Sequence, residues 1–112
     1  MIDLPFATVY VALRERFEIE QGDPARQLIA DLAGKPAADI AGALSALVMP
    51  RTDEVVVLWP HDRRAGRMRV AELVGHITDL WHPGSDDLLA AHPDREWVVL
   101  LDHQSQLWFI ED

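Results

Sequence analysis

Two apolar runs late in the chain, Trp97-Val98-Val99-Leu100-Leu101 and Leu107-Trp108-Phe109-Ile110, are joined by a short polar loop at Asp102 to Ser105. Runs of this length, rich in β-branched and aromatic residues and separated by an ordinary hairpin loop, predict an antiparallel β-hairpin. Each large side chain buried there contributes on the order of 1.5 to 3 kcal/mol of transfer free energy. The hairpin therefore demands a covering layer, and Ala71 to Trp81 offers one. Val70, Leu73, Val74, Ile77, Leu80 and Trp81 fall on one side of a helix, while Glu72, His76 and Asp79 fall on the other. Hairpin and helix together should supply most of the core.

A second strand is legible at Val55-Val56-Val57-Leu58-Trp59, closed by Pro60. The run is apolar without alternation, so both of its faces should be covered and it should lie inside the sheet. Leu88-Leu89-Ala90-Ala91 has two readings. Capped by Ser85 it is a helical turn; followed by a four-residue turn at His92-Pro93-Asp94-Arg95 it is a strand, the preferred reading.

Before Thr52 the pattern is helical. Phe6, Val9, Tyr10, Leu13 and Phe17 recur at three and four residues, and the following Arg14-Glu15-Arg16 favours a helix over a strand at Thr8 to Leu13. A second helix is expected from Asp23-Pro24, with Leu28, Ile29 and Leu32 on its apolar face and Gly34 ending it. A third opens at Pro36 and carries Ile40, Leu44, Leu47 and Val48 to a stop at Pro50. The expected fold is thus a single α+β domain over residues 1–112, a helical N-terminal half followed by an antiparallel sheet of three to five strands with one amphipathic helix packed on it.

Composition narrows the function classes. There is no cysteine, which removes disulfides, thiolate nucleophiles and sulfur-ligated zinc, and suits a cytoplasmic protein. Met1-Ile2-Asp3 is no basic leader, and no apolar run approaches the ~20 residues of a membrane span. Nineteen acids against ten bases give a net charge of −9, a field that repels nucleic acid and anionic lipid and favours basic partners. Neither nucleic acid nor membrane is expected as a partner.

Three clusters carry candidate chemistry. Arg63, Arg64, Arg67 and Arg69 concentrate positive charge on an acidic chain and could hold an anion, although a solvated loop or hairpin accounts for them equally. Glu72, His76 and Asp79 lie at spacings that could converge on one ion. His82, Asp86 and Asp87 flank the turn at Pro83-Gly84-Ser85 and, with His76, are the metal candidates; a capping turn is the simpler account. An acid-base enzyme would draw on His61, His76, His82, His92 and His103 with Asp86, Asp87 and Asp102. No nucleophile motif, phosphate loop or complete metal signature is present, and no cofactor is expected.

The order Trp81-His82-Pro83-Gly84-Ser85-Asp86-Asp87, then Trp97, then Leu101-Asp102-His103 and a closing aromatic strand, resembles small uncharacterised bacterial proteins, some of which sit among toxin-immunity systems. The resemblance covers roughly the last 40 residues and leaves the helical half outside it. It implies binding and neutralising a protein partner and brings no catalytic residues. The sequence therefore reads as a non-enzymatic protein-binding domain with a basic partner, with a tryptophan-rich homodimer and a His/Asp enzyme as the alternatives.

Overall fold

A computed structural model describes residues 1–17, 26–82 and 86–111. Val55 to Trp59 do lie inside a sheet, in β3 (Glu54–Trp59), and alternate across it. Val55, Val57 and Trp59 enter one core, while Leu58 enters another with Val56 packed against it. Two cores on two faces require two covering layers, and both are present.

Among the described residues the sheet has seven strands, all paired antiparallel. In chain order they are β1 (Ile2–Leu4), β2 (Arg26–Asp31), β3, β4 (Arg64–Arg69), β5 (Leu88–Ala91), β6 (Trp97–Leu101) and β7 (Gln106–Glu111). Across the sheet they run β1-β4-β3-β5-β6-β7-β2. Helix α1 (Phe6–Phe17) covers one face with Leu13 and Phe17. The other face is covered by α2 (Ala37–Val48), through Ile40, Leu44, Leu47 and Val48, and by the short helices α3 (Val70–Gly75) and α4 (Ile77–Leu80).

This corrects the expected layout of a helical N-terminal half, a sheet of three to five strands and one covering helix. The domain is α+β, but its sheet is larger, two of its strands come from the first 31 residues, and helices lie on both faces. The segment expected as a second helix forms β2, an edge strand paired to β7. Its Leu28 and Ile29 are exposed, so their helix-like spacing serves no buried stripe, and the bonds offered by β7 decide the conformation. The proposed cap at Asp23-Pro24 lies outside the described residues. Gly34 does take the left-handed backbone, at φ 73°, though it follows a strand.

The helix expected over Ala71 to Trp81 is broken at His76, whose φ −122° and ψ 22° leave the helical region. Trp81 is extended and fully buried, and its indole donates to the Asp86 carbonyl at 2.9 Å. The Trp59 indole donates to the Leu80 carbonyl at 2.7 Å. The second bond satisfies a backbone oxygen where α4 stops, which helps the chain to leave the helix inside the core, and the first ties the buried Trp81 to the approach to β5. Residues 88–91 form a strand, and the turn at His92 to Arg95 closes with the Arg95 amide donating to the His92 carbonyl at 2.8 Å.

Candidate functional site

Among the described residues the α1 face of the sheet carries one 12-residue helix, and α1 forms a wall of two grooves there. The smaller, about 220 Å³, is largely apolar, with Leu4, Val9, Leu13, Val56 and Ala91 in its lining and Arg95 among its polar residues. The larger, about 400 Å³, has Leu89 and Leu100 as apolar lining and Tyr10, Arg26, Asp87, Asp102, His103 and Gln104 as polar lining. The second is the candidate site, because polar groups from α1, β2, the approach to β5 and the β6–β7 loop converge there on an apolar surface.

Its acids shape the loop. Asp102, only 8% exposed, accepts through Oδ1 from the Gln104 and Gln106 amides, both at 2.9 Å, and through Oδ2 from the Trp108 indole at 2.8 Å. Asp87 uses Oδ1 twice. It accepts from the His103 amide at 2.7 Å and lies 3.1 Å from His103 Nδ1. The Arg26 guanidinium lies over the Trp108 ring, 5.1 Å from its centroid. These contacts hold the β6–β7 loop in one shape and keep a carboxylate and an imidazole side by side at the groove, both of them partly open to solvent.

The other candidate residues lie elsewhere. His76 is exposed at the helix break, and His82 is exposed beyond α4. Asp86 is half-buried, with its amide donating to the His82 carbonyl at 3.2 Å. Of the four metal candidates only Asp87 lines the groove. Among the described residues no three or more His, Asp or Glu side chains are grouped as a metal site would need. The trio Glu72, His76 and Asp79 therefore does not converge, because the helix that would align them is interrupted at its central member.

The four arginines separate across the β3–β4 hairpin. Arg63 sits in the turn over the Phe6 ring at 5.4 Å, and Arg64 lies over the Trp59 ring at 5.4 Å. Arg67 stands opposite Val56 on the α1 side and donates from Nε to Glu54 Oε2 at 2.6 Å. Arg69 precedes α3 and is exposed. Alternation along β4 thus puts Arg64 on one face and Arg67 with Arg69 on the other, and aromatic rings and a carboxylate take up three of the four.

Of the enzyme candidates, Asp87, Asp102 and His103 line the groove, whereas His61 lies exposed in the β3–β4 turn. His92 Nδ1 accepts from the Asp94 amide at 3.0 Å, and its ring is tilted against Trp97 with centroids 5.7 Å apart. Tyr10, Arg26 and Gln104 also line the groove, and the sequence does not mark them as site residues. Tyr10 reads as part of the apolar stripe of α1, and nothing in the order of residues shows that β2 carries Arg26 back beside Trp108. No family model matches the chain, and no curated protein or solved structure matches it significantly.

Proposed function

We propose that this chain is a non-enzymatic protein-binding domain of the bacterial immunity type, acting in the cytoplasm, whose groove beside α1 seats a basic side chain of its partner. The observation that carries this reading is the use made of the groove's carboxylates. Asp102 spends both oxygens on three donors of its own loop, and Asp87 anchors the His103 amide while remaining partly exposed. Such a surface is set before binding, which lowers the ordering cost of association. A net charge of −9 draws a basic partner to it and sets its approach rate. The resemblance of roughly the last 40 residues to small bacterial proteins, some of which sit among toxin-immunity systems, supports the same role.

The test is affinity capture from the host's own proteins with the wild type and with Asp87→Lys, at low and high salt. The wild type should retain a basic protein at low salt, and Asp87→Lys should retain at least about tenfold less, as a reversed interfacial charge requires. Capture of no basic protein, or equal capture by both forms with no response to salt, would sink the reading.

A further inference from the structure

The smaller groove beside α1 shares no lining residue with the larger one and differs from it in charge. It runs between one flank of α1, at Val9 and Ala12, and the turn that follows β5, at His92 and Arg95. Val56 of β3 and Ala91 of β5, paired across the sheet, also line it. The chain carries nineteen acids, yet no aspartate or glutamate belongs to this lining. Its ionisable side chains are His92 and Arg95.

His92 is already engaged, with Nδ1 accepting the Asp94 amide at 3.0 Å and Nε2 lying 3.6 Å from Glu96 Oε2. Arg95 is not. Among the described residues its guanidinium makes no ion pair, hydrogen bond or ring contact, whereas those of Arg51, Arg63, Arg64 and Arg67 each meet an aromatic ring or a carboxylate. Arg95 also holds a left-handed backbone, at φ 60°, where glycine would cost less. Arg63 bears the same cost and gains a stack on Phe6. The side chain of Arg95 gains nothing of that kind within the described residues, and a residue held in a costly backbone region without such a contact points to a ligand outside the chain.

The lining sets the chemistry of that ligand. A guanidinium offers two parallel donors that match a carboxylate, and one cation balances one charge. A phosphate monoester carries a second charge, and the lining has no other arginine and no lysine to meet it. Beside the guanidinium the surface is apolar, so the anion needs an apolar body. The groove's 220 Å³ is the liquid volume of roughly seven waters, and a methylene group takes similar space, so the body has about seven or eight carbons. That is too little room for a helix or strand of a protein partner.

We infer that this groove binds a medium-chain carboxylate, its head paired with the Arg95 guanidinium and its hydrocarbon along Leu4, Val9 and Val56, each half-buried and open on the groove side. The site is independent of the larger groove and its partner. The field of the whole chain opposes an anion beyond a Debye length of ~8 Å, so the pairing is local and the affinity moderate.

NMR titration of the full chain with octanoate tests this. Saturable amide shifts should appear at Thr8 to Leu13 and at Ala91 to Arg95. Octylammonium, of equal length and opposite charge, and acetate, which lacks the body, should each bind at least about tenfold more weakly. Arg95→Gly should lose about tenfold or more in octanoate affinity while melting no lower than the wild type, which separates lost binding from a lost fold. Ala12→Phe adds bulk to the groove wall, leaves Arg95 in place and should also weaken octanoate. Unchanged octanoate affinity in Arg95→Gly, equal binding of octanoate and octylammonium, shifts confined to the larger groove, or no saturable shift at millimolar octanoate would overturn the assignment.

Discussion

Asp102 shows how much one side chain can organise. Removing its carboxylate leaves the Gln104 and Gln106 amides and the Trp108 indole without their acceptor in a part-buried loop. Asp102→Ala should therefore cost about 3 kcal/mol of stability, read as a lower urea midpoint with an unchanged slope. Asp102→Asn keeps the shape and one oxygen but can set an amide donor against the indole donor, and should cost about half as much. In the sequence this aspartate reads only as a loop residue or as one acid among several near histidines. Its three donors become neighbours only when the β6–β7 hairpin closes, so its role is a property of the turn rather than of the residue type. The same holds for Tyr10 and Arg26, whose place at the groove depends on helix packing and on strand order.

At the scale of elements, three hairpin connections share one device. The turns ending at Arg63, Arg95 and Ser105 each close with that residue's amide donating a hydrogen bond to the carbonyl of Pro60, His92 and Asp102 respectively, and each last residue is left-handed, at φ 51°, 60° and 63°. None of the three is a glycine, and each carries the steric penalty of a Cβ in that region. Arg95→Gly should raise stability by about 0.5 kcal/mol, relief of strain exceeding the added flexibility of the unfolded chain, whereas Gly34→Ala should lower it by about 1 kcal/mol. A Cβ on Gly34 meets no atom within 4 Å, so the second change isolates the backbone cost; paired thermal melts check both. The elements most legible in sequence were those with long, consistent patterns: α1, α2, β3 and the β6–β7 hairpin. β1 is too short to carry a pattern. β2 reads as a helix because Leu28, Ile29 and Leu32 share a helical spacing, whereas its conformation is dictated by the open edge of β7. The break at His76 interrupts a stripe whose apolar members are buried on both sides of it, since Leu73 and Ile77 both reach the core.

For the whole molecule, β5 and β6 lie deepest. Every residue of both strands is buried, and each strand is paired on its two sides. Native-state hydrogen exchange should find their amides the slowest and those of β1 and β2 the fastest, a gradient running outward along the strand order. Equal protection in β2 and β6 would mean that the edge is more firmly held than its pairing to β7 alone provides. The same strand order also sets a timetable for synthesis. β3 and β4 are joined by a tight turn and can pair as soon as both leave the ribosome, but β2, made long before, has no partner until Gln106–Glu111 has been made. Throughout that interval Leu28 and Ile29 are presented without the sheet that later orders them. A nascent chain stalled before β7 would thus expose a segment that the finished protein keeps as an edge, making completion of the final strand the step at which the fold becomes whole.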